Sequence, residues 1–385
     1  MGPRGAFLEI PLSVLATSLC AVSWRSFVVF VFISLFAVFI QTNGLFGTRI
    51  TALTMAIGSP LFRKGACSPL LLLFLILFTT TTVYASVGDR LPEFQQCVQV
   101  CKTENCLPPN TTPLPLHLRL LFWTCPSECD YTCQHIITST RLSRNEPVVQ
   151  FHGKWPFYRL LGMQEPFSVL FSLGNFWAHH DGLYNHILKK IPATYSMRPY
   201  YVWLARIGMA SWFFSAVFHT RDFRVTEELD YFAAGASVLY GMYYTVVRVF
   251  RLDRVSKRGV RKSWTGTCVG LYLAHVGYLK GVGWDYGYNM GANVAVGVVQ
   301  NVLWTWFSVR RYNREGKGWM VWPGLVVMWV VAAMSLELLD FAPVWGCLDA
   351  HSLWHLGTIG PAVVFYRFLV RDSEEVLRRE GRLKA

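Results

Sequence analysis

From about residue 165 the chain alternates long apolar runs with brief polar interruptions. The apolar runs cover about 165–180, 199–219, 229–250, 263–283, 290–308, 319–338 and 350–370. A helix needs about 20 apolar residues to cross the hydrocarbon core of a bilayer, and its backbone polar groups must be satisfied within the segment. The pattern therefore predicts an all-α fold, a polytopic bundle of seven transmembrane helices over 165–370, the first of them short. A tail, 371–385, follows.

Upstream of the bundle the pattern changes character. Residues 1–54 hold one apolar run, Phe27 to Ile40, shorter than a span. This extension reads equally as an interfacial segment, an uncleaved anchor or an upstream extension of the frame, and no role is assigned to it. Residues 55–85 read as a signal peptide, with basic Arg63-Lys64, an apolar core from Leu70 to Phe78, and a small-residue cleavage site at Val83-Tyr84-Ala85. Residues 86–164 are polar and carry Cys97, Cys101, Cys106, Cys125, Cys129 and Cys133. An even cysteine count after a signal peptide predicts three disulfides in an oxidising lumen, with 15 pairings open. The Cys125, Cys129, Cys133 spacing also suits a metal site, a reading the signal peptide disfavours. Asn110-Thr111-Thr112 is the glycosylation sequon of this region.

Composition agrees with a membrane protein. Of 385 residues 53% are hydrophobic and only 15% charged, against about 25% charged in average soluble domains. The excess of 36 Lys and Arg over 23 Asp and Glu would suit nucleic acid, but no nucleic-acid motif accompanies it. Its distribution gives the orientation instead. Segments 181–198, 251–262, 309–318 and 371–385 hold 18 basic residues, whereas the alternate loops 220–228, 280–289 and 339–349 hold 3. The positive-inside rule puts the first set, and the C-terminus, in the cytosol. The cysteine-rich region is then lumenal.

Ionisable groups inside or at the edges of spans are costly and mark functional sites by default. His351 and His355 lie four apart at the start of the last run, on one helical face. Ser215 and His219 have the same spacing at the end of the second, and Asp230 opens the third. The predicted topology gathers all five at the lumenal face. Three neutral imidazoles with an open fourth position describe a catalytic Zn2+ site, in which a metal-activated water attacks an ester or amide. Asp230 is placed as general base and Ser215 as a hydrogen-bond donor to the developing oxyanion. A Ser215 nucleophile with His219 as its base is the rival. His179, His180 and His186 around Asp181 form a competing cluster, expected in a loop with a structural role. Glu337 and Asp340 are candidates to orient a ligating imidazole. Asn175 is a polar span residue with no assigned role.

Ser215-x-x-x-His219, Asp230 and His351-x-x-x-His355 resemble, in order and type, the CREST superfamily of seven-span membrane hydrolases. Within it the chain is similar to the post-GPI-attachment-to-proteins factor 3 family, through Val149 to Phe157, Gln164 to Val169, Phe218 to Asp222, Glu228 to Phe232, Leu338 to Phe341 and Asp349 to His351. The resemblance covers roughly 86–372. It implies a GPI-specific phospholipase A2 that removes the unsaturated sn-2 chain from the phosphatidylinositol of GPI-anchored proteins, in the membrane of the endoplasmic reticulum or, alternatively, the Golgi. It implies metal ligation by His219, His351 and His355, with Ser215 and Asp230 as catalytic supports. Two other readings stay open: a receptor or GPI-protein folding factor with structural zinc, and a ceramidase-like amide hydrolase.

Overall fold

The computed structural model describes residues 86–109, 113–337 and 339–381. The extension 1–54, the expected signal peptide 55–85 and the sequon residue Asn110 lie outside the described residues.

Helices α1 (Pro92–Asn105), α2 (Leu116–Leu120) and α3 (Cys125–Ser143) form the cysteine-rich region. Pro92 opens α1, and Pro126 sits in the first turn of α3 behind the cap made by Thr124 and Ser127. Cys97 and Cys101 lie four apart on α1, as do Cys125, Cys129 and Cys133 on α3, so each set faces one side. The bridges Cys97–Cys133, Cys101–Cys129 and Cys106–Cys125 are nested, as an antiparallel helix pair requires. Phe94, Ile137 and Phe151 pack around them. All three α3 cysteines are thereby taken up in disulfides rather than in a metal site.

Among the described residues seven long helices follow: α4 (Pro166–Asp181), α5 (Arg198–Thr220), α6 (Arg224–Val249), α7 (Arg258–Gly281), α8 (Tyr286–Glu315), α9 (Trp322–Glu337) and α10 (Ala350–Arg379). Among the described residues three helical stretches are long and apolar enough to cross a membrane: Arg198–Thr220, Gly318–Glu337 and Ala350–Arg379. Six helices close a ring in which α4 packs on α5, α5 on α6, α6 on α8, α8 on α9, α9 on α10, and α10 back on α4. Helix α7 docks on α6 outside the ring. Between the ring helices lies a largely apolar, half-open cleft of about 230 Å³, to which every ring helix contributes, among them Asn175, Trp212, Tyr244, Trp304, Val330 and Phe365.

Two segments differ from the sequence reading. The residues His179 to His186 are helical, not a loop: α4 runs into a π-helical turn, Gly182–Ile187. A Cβ on Gly182 would lie 2.2 Å from the Tyr366 ring, so only glycine lets the two helices meet there. The segment from 371 onward begins as a continuation of the last helix. Helix α10 continues to Arg379, and the fully buried Asp372 accepts hydrogen bonds from Arg248 Nε and Nη2, both at 2.6 Å, and from Arg311. This buried cluster ties α10 to α6 and α8.

Candidate metal centre

The last helix begins with a capping box. The Asp349 carboxylate accepts from the Ser352 amide at 2.9 Å, and the Asp349 amide donates to Ser352 Oγ at 3.0 Å. This fixes the first turn of α10 and aims His351 and His355 at the end of α5. There His219 meets them, with ring centroids 5.1 Å from His351 and 5.0 Å from His355. The Nε2 atoms of His219 and His351 face each other at 3.3 Å. One nitrogen from each of the three rings lies within 4.8 Å of the others. His219 and His355 are 3% and 4% exposed. His351 is more open and forms the accessible edge of the group.

Each imidazole is oriented through its other nitrogen. His219 Nδ1 donates to Glu165 Oε2 at 2.7 Å, and His351 Nδ1 donates to Glu337 Oε2 at 2.7 Å. His355 Nδ1 contacts Ser172 Oγ at 3.0 Å. With Nδ1 protonated in all three, the Nε2 lone pairs are left for a metal, the arrangement that carboxylate–histidine–metal sites use. A tetrahedral zinc with bonds of about 2.0 Å separates its nitrogens by about 3.3 Å, which is the His219–His351 spacing. The donor set therefore fits zinc.

Glu165 is held by its backbone. The amides of Gln164 and Glu165 donate to the carbonyls of Thr220 and His219, each at 3.0 Å. Glu165 sits at the N-cap of α4, yet its side chain does not cap that helix. It points instead to His219 and to Lys154 Nζ, at 2.7 Å. Lys154 also pairs with Asp222 at 3.0 Å. The buried Glu165 carboxylate is thus matched by a lysine on one oxygen and an imidazole N–H on the other. Lys154 belongs to a tight turn closed by Phe151, whose ring packs in the disulfide core. The cysteine-rich region is thus joined to the His219 imidazole through two side chains, Lys154 and Glu165.

The remaining sequence-predicted residues fall as follows. Ser215 is buried, and its hydroxyl lies 3.2 Å from Ser172 Oγ, so it joins the chain of contacts that leads to His355. Asp230 stands on the second turn of α6, at the same end of the bundle as His219 in the last turn of α5. Among the described residues it has neither a hydrogen bond nor a salt bridge, which leaves its carboxylate available. Asp340 is not an imidazole partner: it accepts from Gln150 and Trp155. Asn175 Nδ2 donates to the His355 carbonyl at 2.7 Å. His179 is hydrogen-bonded to Tyr366 at 2.7 Å, and His186 leans on Asp181 at 3.4 Å, away from the three-histidine group.

Sequence reasoning missed Glu165, Ser172 and Lys154. A glutamate just before the proline that opens an apolar helix is a legible signal, since a carboxylate at a span edge needs a partner. Ser172 carries none, because a span serine usually bonds its own backbone.

Comparison with known proteins adds the chain's relationships. It is 42% identical over 319 residues to the protein PER1 homolog of Schizosaccharomyces pombe, covering 80% of this chain and 95% of that protein. It is 37% identical over 311 residues to the GPI-specific phospholipase A2-like PGAP3 of Xenopus laevis, covering 79% and 96%, and 38% identical over 320 residues to the protein of the same name from Mus musculus, covering 82% and 97%. No solved structure matches. The Per1-like family profile matches residues 115–373, a stretch that contains the three histidines, Glu165, Ser172 and Glu337. On that match and those identities, the chain belongs to the Per1-like family.

Proposed function

We propose that the protein is a GPI-specific phospholipase A2, a metal-dependent ester hydrolase that removes the sn-2 acyl chain from the phosphatidylinositol of GPI-anchored proteins during lipid remodelling. The observation that carries this reading is the trio His219, His351 and His355, each with Nδ1 engaged by Glu165, Glu337 or Ser172. The names of the relatives supply the substrate class. All seven helices α4 to α10 span the membrane, with the cysteine-rich region and the site in the lumen and α10 ending in the cytosol. The protein works in the endoplasmic reticulum membrane, with the Golgi as the alternative.

The three histidines would hold zinc, which supplies Lewis acidity and lowers the pKa of water there to about 7. The rest is done by the chain itself. Glu165 and Glu337 keep the rings in one tautomer. Asp230, with no competing partner, takes the proton of the attacking water and returns it to the leaving alkoxide. Ser215 and Ser172 support the His355 side of the site, with Ser215 as the donor toward the oxyanion. Trp212 packs edge-on to His355, centroids 5.1 Å apart, and also lines the cleft between the ring helices. That apolar space begins directly below the ester and takes the acyl chain.

Mass spectrometry of GPI anchors tests the reading in cells with the wild-type protein, without it, and with His355→Ala. Retained unsaturated sn-2 chains are expected in the last two. Normal anchors in cells lacking the protein would remove the proposal.

A further inference from the structure

Four of the basic side chains around the histidine end of the bundle are held by carboxylates. Arg159 Nη2 reaches both oxygens of Glu128 at 2.8 and 2.7 Å, and Lys154 pairs with Glu165 and Asp222. Arg224 and Lys280 share Glu228. Arg221 differs. It stands two residues beyond His219, at the C-cap of α5, and forms no salt bridge among the described residues. Its hydrogen bond is a long one, from Nη1 to the Asp222 carbonyl at 3.4 Å, and its Nε is buried without a partner. The carboxylate of the adjacent Asp222 is taken by Lys154, at 3.0 Å.

The Arg221 guanidinium is nevertheless held in place. It lies 3.8 Å from the centroid of the Trp123 ring and 4.6 Å from that of Phe223. Trp123 is fixed in turn, by its Nε1 donating to the Gly162 carbonyl at 2.9 Å. The same indole carries a second guanidinium, Arg159, at 4.2 Å, whose Nη1 is also buried without a partner. Two like charges on one ring, one of them lacking a carboxylate, repel each other unless an anion joins them. A flat, pre-oriented guanidinium edge matches a phosphate better than any other common anion except a carboxylate.

We propose that Arg221 binds the phosphodiester of the anionic lipid substrate, with Trp123 and Phe223 holding its guanidinium plane and Arg159 adding to the positive field. The proposal rests on the lipid-esterase reading and deepens it. In a glycerophospholipid the phosphate and the sn-2 ester occupy adjacent carbons of glycerol. A phosphate anchored two residues from a ligating histidine therefore sets that ester, and not the one further along, beside the histidines. Arg221 is then a specificity residue: it selects phosphorylated lipids over neutral diacylglycerol.

Native mass spectrometry of the full-length, detergent-solubilised protein tests this with phosphatidylinositol and with diacylglycerol of the same chains. Wild-type protein is expected to retain phosphatidylinositol preferentially. Arg221→Gln and Arg221→Met, the latter keeping an apolar stem over Trp123, are expected to weaken phosphatidylinositol retention about tenfold or more and leave diacylglycerol unchanged. Arg221→Lys keeps the charge without the fork and falls between them. Arg224→Gln, whose side chain is paired elsewhere, is the control and keeps the preference. Thermal melting identifies the variants that retain the fold. Glycerophosphoinositol is expected to compete with the lipid and inorganic phosphate to compete much less. Unchanged phosphatidylinositol preference in all three folded Arg221 variants overturns the proposal. Equal competition by inorganic phosphate overturns the lipid assignment. A wild-type protein that shows the preference but releases no fatty acid would remove the esterase reading and leave the binding site standing. Release with the same KM in wild type and Arg221→Gln would do the reverse.

Discussion

Glu165 and His219, 54 residues apart in sequence, are joined by a 2.7 Å hydrogen bond in which the imidazole Nδ1 donates to a buried carboxylate. The backbone amide of Glu165 also donates to the His219 carbonyl. The pair is therefore set by main chain and side chain together, which makes the tautomer of His219 a property of the fold and not of a bound ion.

That relationship predicts the effect of removing either carboxylate. Glu165→Gln and Glu337→Gln should each weaken zinc binding by about 10- to 100-fold, the usual cost of losing a group that orients a ligating histidine. Competition against a chelator of known affinity measures it. Wild-type affinity in both variants would mean that the carboxylates are not the orienting groups.

The ligand set itself is checked by elemental analysis. One zinc per chain is expected in purified wild-type protein, and none in the double variant His351→Ala/His355→Ala. Full occupancy in that variant would show that the metal sits elsewhere.

The buried cluster at the far end of α10 makes a separate stability prediction. Asp372 is fully buried between Arg248 and Arg311. Asp372→Asn leaves two guanidiniums without their counter-charge and should cost about 3–5 kcal/mol. Thermal unfolding in detergent reads this loss. Zinc affinity in the folded fraction should stay unchanged, because the cluster is at the opposite end of α10 from His351.

Nested disulfides predict a graded response in the cysteine-rich region. Cys97–Cys133 closes the longest loop, with a separation of 36, and Cys106–Cys125 the shortest, with 19. Each paired Cys→Ser replacement should cost about 2–5 kcal/mol, slightly more for the longer loop. Limited proteolysis between residues 92 and 143 would report it. Equal resistance in wild type and both paired variants would mean that helix packing alone holds this region.

The turn bearing Lys154 should respond to pH. His152 Nε2 bonds Asp130 Oδ2 at 2.8 Å. This bond, against the opposing effect of burial, raises the His152 pKa above 6.5. The protonated ring then favours the folded turn. The contribution is full below about pH 6.5 and is lost as pH rises through the raised folded value. The Asp130 carboxyl, which burial would raise, is held below its ordinary value by His152 and Gln134. Its own contribution is lost only as pH falls through that lowered value. His152 is 56% exposed, so solvent screening keeps the whole effect under about 1 kcal/mol. Amide hydrogen exchange at 151–154, corrected for intrinsic rates, should be slower at pH 5.5 than at pH 8. His152→Gln should abolish the difference.

The positions of the seven helices α4 to α10, the presence of three disulfides, and the meeting of His219, His351 and His355 were legible in the sequence. Apolar run length, cysteine parity after a leader-like segment, and i,i+4 spacing are local quantities, and each is dictated by helix geometry. The nested order of the bridges was not legible, because six cysteines permit any pairing until α1 and α3 are laid antiparallel. The ring order that leaves α7 outside, the helical rather than looped His179 to His186, and the docking of the tail through Asp372 also depended on which helix faces packed. So did the partners Glu165, Ser172 and Lys154. A residue's chemistry is written in its name, but a hydrogen bond between Glu165 and His219 exists only once two backbones have been brought within 3.0 Å. The sequence by itself determined which groups need partners in a low-dielectric bundle; the tertiary structure decided which partners they have, because that choice is made by packing between segments far apart in the chain.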